Sequence, residues 1–127
     1  YNMENLSEKK AWSVVKRAQS FTHAFRGIRL FIKTTPNALI HIGIGIIVII
    51  LGFYFRVSAY EWIALIFAIG FVLVSEAFNT AIEIDINLTS PEYHPYAKDT
   101  KDVAAGAVLL ASLTALFIGL IIFLPKI

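Results

Sequence analysis

The sequence predicts an all-α membrane protein, in which an amphipathic surface helix precedes three membrane-spanning helices. Of the 127 residues, 57% are hydrophobic and 16% are charged, and the mean hydropathy is +0.71. Soluble proteins contain about 25% charged residues, so this composition favours a chain that lies largely in lipid. The length predicts one domain, residues 1–127. Because there is no cysteine, disulfides and thiolate metal sites are excluded.

The first predicted element is an amphipathic helix over residues 7–35. Its apolar residues recur at helical spacing, with lysine and arginine between them: Val14, Ala18, Phe21, Phe25, Ile28 and Ile32. Pro36 would end this helix, because proline has no N–H for a helical hydrogen bond. Basic amphipathic helices commonly lie in the membrane surface, so we expect anionic lipid head groups as partners. A calmodulin-type target is the alternative.

Three apolar runs follow, at residues 38–55, 62–75 with its continuation into residues 76–85, and 103–124, and they predict spanning helices over residues 38–55, 61–87 and 101–124. Each approaches the roughly 20 residues that a helix needs to cross a bilayer. The second run extends beyond the membrane into the cytoplasm. The alternative, a soluble bundle of three buried helices, would give each helix a polar face, and these runs show almost none.

Lysine and arginine are distributed unevenly around the three runs. Seven of eleven precede Pro36, and Lys98 and Lys101 lie between the second and third runs. Only Arg56 and Lys126 fall on the other side. The positive-inside rule therefore places the amino terminus in the cytoplasm and the carboxyl terminus outside. The net charge of +2 is too small to indicate a nucleic-acid partner.

Polar residues gather at the end of the second run, in the stretch EAFNTAIEID (residues 76–85). Because each helical residue turns by about 100°, five of them share one side, called here the polar face. They are Glu76, Asn79, Thr80, Glu83 and Asn87. Asp85 lies on the opposite side and is not counted in the site.

Depth gives the two glutamates different roles. Counted from Trp62 at the outer interface, Glu76 lies about 21 Å and Glu83 about 31 Å along the helix, against a hydrocarbon core of about 30 Å. A carboxylate inside the core is costly and usually functional, with helix pairing as the alternative. We expect Glu76 to take a proton from a membrane-embedded hydroxyl. Glu83, at the cytoplasmic edge, would hold Mg²⁺ that carries a soluble anion.

Other polar residues have several interpretations. Lys101 and Asp102 lie at the start of the third predicted helix, just before its apolar run, where Lys101 would neutralise phosphate charge, or the two would form an interfacial anchor. His41 is interpreted as a packing or hydrogen-bonded residue. No P-loop motif occurs, so any nucleotide would be bound without one. A transport subunit that uses Glu76 for protons is a further alternative, but the polar groups gather at one end instead of lining a path.

The motif EAFNTAIE is followed by Glu92–His94 and then by Lys101-Asp102 with AAGAVLL. This ordered set resembles the small three-helix bacterial diacylglycerol kinase and undecaprenol kinase family, and the resemblance extends back through SFTHAFRGI, over about 110 residues in all. It implies a homotrimer in the bacterial inner membrane, with active sites shared between protomers. The implied reaction transfers the γ-phosphate of MgATP to a lipid hydroxyl, of diacylglycerol or undecaprenol.

The resemblance also implies roles for individual residues. Glu76 corresponds to the catalytic base, Asn79 to its supporting polar residue, and Glu83 to a metal ligand in the nucleotide site. Further positions fall where the family contacts nucleotide: Glu92, Tyr93, His94, Lys101, Asp102, Lys16 and His23.

The chain departs from the family at two positions. Thr35 stands where the family places a second metal-binding glutamate, and Asn87 stands where an aspartate is common. Mg²⁺ can be held by one carboxylate with phosphates and waters, so activity is compatible with both changes. The alternative is a catalytically silent member that serves as a trimeric scaffold or as a subunit of a larger complex.

Overall fold

A computed structural model describes residues 3–127 and confirms the all-α class. Helix α1 spans Met3–Thr34, α2 spans Pro36–Tyr54, α3 spans Ala59–Thr89 and α4 spans Pro95–Phe123, followed by a 3₁₀ turn at Leu124–Lys126. Within residues 3–127 there is no strand. Helices α2, α3 and α4 are each long and apolar enough to cross a membrane. Residues 1 and 2 of the predicted domain lie outside the described part of the chain.

Helix α1 forms a unit of its own and buries none of its residues. The ammonium of Lys16 lies 5.6 Å from the centre of the Trp12 ring, a cation–π contact on the helix surface. The helix ends one residue before Thr35, which has an extended backbone (φ −110°, ψ 102°). This conformation is the one that a following proline imposes, so Pro36 separates α1 from α2 as expected.

The second unit comprises α2, α3 and α4, in which α3 packs against both other helices. Helix α2 ends where Arg56 adopts a left-handed backbone with φ 51°. The N–H of Val57 then donates to the carbonyl of Gly52 (3.1 Å), and the N–H of Arg56 donates to that of Phe53 (3.3 Å). These two bonds form a Schellman motif, which reverses the chain toward α3.

The start of α3 and the end of the chain are joined beside this turn, at what we call the closed end (Val57, Glu61, Trp62, Ile122 and Lys126). A capping box begins α3, with reciprocal hydrogen bonds between Ser58 and Glu61 of 3.2 and 3.0 Å. The ammonium of Lys126 donates to the Glu61 carboxylate at 2.7 Å. Val57 and Ile122 belong to the apolar cluster underneath.

Helix α4 begins at Pro95, six residues before the predicted start of the third span at Lys101. Nδ1 of His94 accepts the backbone N–H of Tyr96 at 3.2 Å, which caps the helix. Proline is well tolerated in a first turn because it has no N–H to leave unpaired. The helix therefore starts at its cap, ahead of the apolar run that marked it in the sequence.

Candidate active site

Glu76 is the most deeply buried charged residue of the described chain, with 2% of its surface exposed. One of its carboxylate oxygens lies 3.8 Å from Nε2 of His41 on α2. A buried carboxylate is costly unless it is paired, and among residues 3–127 His41 is the basic side chain that lies within ion-pair distance of it. The sequence indicates a packing or hydrogen-bonded role for His41 but names no partner for it. No spacing rule links residues on two different helices, so the sequence carried no signal for it.

Asn79 lies one turn beyond Glu76 and faces Glu83. Its amide Nδ2 donates to the Glu83 carboxylate at 3.3 Å. Its Oδ1 is buried and has no hydrogen-bond partner among residues 3–127. Buried acceptors without partners are uncommon because they lose their bonds to water, so each one calls for an explanation. This oxygen is therefore a candidate ligand contact within the polar face.

Thr35 lies against the polar face, with 9% of its surface exposed. Its hydroxyl shares a hydrogen bond of 2.8 Å with that of Thr80, which lies between Glu76 and Glu83 on α3. A threonine that precedes a helix commonly caps it with its side chain, but the Thr35 hydroxyl makes no such bond. Position 35, where the resemblance places a glutamate, is thus directed at the polar face.

The far end of the polar face is joined to α4. The ammonium of Lys101 donates to Oδ1 of Asn87 at 2.6 Å. Asn87 is neutral, so it orients the ammonium without cancelling its charge. Asp102 pairs instead with Lys98, at 2.7 Å on the exposed side of α4. Asp85 is exposed.

The remaining candidates lie outside this cluster. Glu92 and Tyr93 are exposed in the connection before α4, and His94 caps that helix. A helix amino terminus attracts anions, which suits a phosphate contact near His94. Lys16 and His23 lie on α1, and both are exposed. Their roles in nucleotide binding stay predictions.

The polar face offers oxygen donors of the kind that Mg²⁺ prefers. Within the described chain, no group of three or more His, Cys, Asp or Glu residues is placed to hold a metal ion. Mg²⁺ does not require such a cage, because it usually takes one or two carboxylates with substrate phosphates and waters. The Glu83 carboxylate and the unpartnered Oδ1 of Asn79 fit that smaller donor set.

An apolar cleft of about 410 Å³ opens between α2, α3 and α4. Its lining runs from His41 to Phe123, and His41 is the one titratable residue in it. His41, which lies beside Glu76, therefore forms part of the wall of this apolar cleft.

Comparison with known proteins gives consistent relatives. A sequence model described as prokaryotic diacylglycerol kinase matches residues 22–123. The undecaprenol kinase of Bacillus subtilis (strain 168) is 42% identical over 108 residues, covering 85% of this chain and 88% of that protein. A diacylglycerol kinase of Synechocystis sp. is 36% identical over 119 residues, covering 92% and 68% respectively. Since the match spans most of both chains, this chain belongs to the prokaryotic diacylglycerol kinase family.

Proposed function

We propose that the chain is a lipid kinase that transfers the γ-phosphate of ATP to the hydroxyl of a membrane lipid at the cytoplasmic face. The observation that carries this proposal is the polar face itself. It has a buried carboxylate, Glu76, at one end, and Glu83 lies about 10 Å further along the helix axis. Two carboxylates at different depths suit two reactants, one dissolved in the membrane and one in water.

Glu76 acts as the general base. It takes the proton from the acceptor hydroxyl as that oxygen attacks the γ-phosphorus. Phosphoryl transfer depends mainly on positioning and on charge stabilisation, so the contribution of the protein is to hold both reactants in line. Asn79 contributes by fixing the Glu83 carboxylate, to which it donates a hydrogen bond of 3.3 Å.

Glu83 and Oδ1 of Asn79 would hold Mg²⁺ together with the phosphates of ATP. The chemistry that bound Mg²⁺ supplies is neutralisation of charge on the transferring phosphate. Lys101, oriented by Asn87, contacts phosphate oxygens as a point charge. Further nucleotide contacts are proposed for Glu92, Tyr93, His94, Asp102, Lys16 and His23.

Undecaprenol is the first acceptor to test, and diacylglycerol the second. The relative named undecaprenol kinase has the higher identity and is covered over more of its length than the relative named diacylglycerol kinase. The apolar cleft beside His41 would take part of the hydrocarbon chain of either lipid.

The protein is proposed to work as a homotrimer in the bacterial inner membrane, with its amino terminus in the cytoplasm and its carboxyl terminus outside. Large apolar side chains cover the outside of α2, α3 and α4, where lipid or a second protomer would contact them. Helix α1, whose lysines and arginines lie among apolar residues, would bind anionic head groups.

The test is a phosphorylation assay with the full chain in lipid vesicles, labelled ATP and Mg²⁺, and either undecaprenol or diacylglycerol. We expect a labelled phospholipid from the native chain and almost none from the Glu76→Gln variant. If the native chain yields no more product than Glu76→Gln with either acceptor, the proposed function is wrong.

A silent scaffold is the second candidate, and the hydrogen bond between Thr35 and Thr80 favours it. That bond engages the position at which the family carries a metal-binding glutamate. A scaffold should bind ATP no better with Mg²⁺ than without it. Equilibrium dialysis of labelled ATP separates the two candidates, because a kinase should show binding that depends on Mg²⁺.

A further inference from the structure

We propose that His41 is a positioning residue for this reaction, which holds the Glu76 carboxylate in place and receives from it the proton of the acceptor hydroxyl. The inference rests on the proposed function and adds a residue to it. It begins from the contact between α2 and α3, in which Nε2 of His41 lies 3.8 Å from the Glu76 carboxylate.

Burial explains why Glu76 needs a second residue. After it has taken the proton, the carboxyl group must lose it before the next turnover. With 2% of its surface exposed, Glu76 has little access to water. Glu83 lies about 10 Å away along the helix axis, which is too far for a direct transfer. Among residues 3–127, His41 is the one basic side chain within ion-pair distance of Glu76.

The position of His41 suits the role of proton acceptor. Its side chain is 21% exposed, so the imidazole reaches beyond the buried carboxylate and lies at the apolar cleft. A neutral imidazole can accept a proton on its unprotonated ring nitrogen. The separation of 3.8 Å exceeds a hydrogen bond, and catalytic hydrogen bonds are often long before substrate binds.

The steps balance. The O–H bond of the acceptor breaks, its oxygen forms a bond to the γ-phosphorus, and the bond from that phosphorus to the bridging oxygen breaks to release ADP. The proton passes to the Glu76 carboxylate and then to Nε2 of His41. Glu76 is again ionised, and the imidazolium gives its proton to water.

A structural role for His41 makes a different prediction. If His41 only offsets the buried charge, glutamine should replace it, because its amide donates a hydrogen bond to a carboxylate. Glutamine cannot accept a proton. The His41→Gln variant therefore retains the pairing and removes the relay.

The experiment measures kcat and KM of native, His41→Gln and His41→Ala chains in lipid vesicles, with excess imidazole added in parallel. The control is Ile47→Ala, which shortens an exposed side chain on the same helix. We expect His41→Gln to lower kcat by about 100-fold, because general acid–base steps contribute roughly 10²–10⁴-fold. The KM for ATP and the KM for the lipid acceptor should change little. Imidazole should restore part of kcat to His41→Ala and none to Glu76→Gln. Ile47→Ala should resemble the native chain.

The outcomes separate the two proposals. If the native chain phosphorylates lipid and His41→Gln keeps its kcat, the relay is overturned while the lipid kinase stands. A folded but slow His41→Ala chain that imidazole does not restore also overturns the relay. Variants that melt at the same temperature as the native chain would be shown to be folded. If His41→Gln alone is unstable, imidazole rescue of His41→Ala remains decisive. An inactive native chain overturns both proposals.

Discussion

At the closed end, a lysine and a glutamate pair at a short distance. Within residues 3–127, the glutamates of the polar face have no charged partner at so short a distance. Lys126 donates to Glu61 at 2.7 Å, and the same carboxylate completes the capping box of α3. On the polar face, Glu76 meets His41 only at 3.8 Å, and Oδ1 of Asn79 has no partner within residues 3–127. Both ends belong to the same three helices, so the difference lies in the polar residues that each end carries.

This contrast separates groups that serve stability from groups that are free for chemistry. A buried polar group without a partner costs about 1–3 kcal/mol of folding free energy. Stability alone therefore gives no reason for the protein to keep such a group. Local departures from good bonding are expected at functional sites. The closed end should therefore respond to substitution through its melting temperature, and the polar face through its activity.

The largest effect is expected from Glu76→Gln. Loss of the proposed general base should lower kcat by about 10³-fold, within the range that acid–base catalysis contributes. The matched control is Asp85→Asn, which neutralises an exposed carboxylate on the same helix away from the polar face. Rates of lipid phosphorylation measure both. Equal losses in the two variants would show that charge on α3, and not the position of Glu76, matters.

The closed end should lose stability in Gly52→Ala. A Cβ atom at Gly52 would lie 2.5 Å from the Trp62 ring, so the ring or the helix must move. Overpacking of this kind costs about 1–3 kcal/mol. Gly43→Ala on the same helix is the control, because a Cβ there meets nothing within 4 Å. Thermal unfolding in detergent compares them, and an unchanged Gly52→Ala chain would refute tight packing at this end.

Thr35→Glu should strengthen binding of Mg²⁺ at the polar face. The new carboxylate would replace a hydroxyl that contacts Thr80, and carboxylates are preferred Mg²⁺ ligands. We expect half-saturating Mg²⁺ for ATP binding to fall by about tenfold, which corresponds to roughly 1.4 kcal/mol. Thr34→Glu adds the same charge at an exposed neighbour. A similar gain from Thr34→Glu would mean that general charge is responsible.

The smallest effect is expected from Arg56→Gly, which should stabilise the closed end. Arg56 has a φ of 51°, a conformation that glycine adopts without steric cost. The left-handed backbone costs other residues about 1–2 kcal/mol, and the greater freedom of unfolded glycine offsets part of the gain. Arg56→Ala removes the same side chain without relieving the backbone. Melting temperatures of the two should differ, with Arg56→Gly the higher.

Much of the fold could be predicted from the sequence because helices are local. Apolar runs indicated α2, α3 and α4, and Pro36 marked the boundary after α1 as it is observed. Helix α4 begins at Pro95, ahead of the span predicted over residues 101–124, since the apolar run begins after the capped first turns. Hydrophobicity in the sequence indicates the part of a helix that contacts lipid. The cap at His94 marks the residue at which the helix begins.

The polar face could likewise be predicted, because residues three and four apart share one side of a helix. The hydrogen bond between Asn79 and Glu83 follows from that spacing. The contact of His41 with Glu76 could not be predicted, and the position of Thr35 at the polar face followed only from the resemblance, which places a metal-binding residue there. Each depends on how α2 rotates against α3, which is decided by packing between helices and leaves no periodic signal in a single sequence.

Helix α3 runs unbroken for 31 residues, about 46 Å, which exceeds a hydrocarbon core of about 30 Å. Because the helix is continuous, Glu76 keeps a fixed separation of about 21 Å from Trp62 at the closed end. If the closed end stays at one interface, a thicker bilayer would place Glu76 further from the head groups at the other interface. Under the proposed function, bilayer thickness would then determine how far the acceptor hydroxyl must move to meet Glu76, through hydrophobic mismatch.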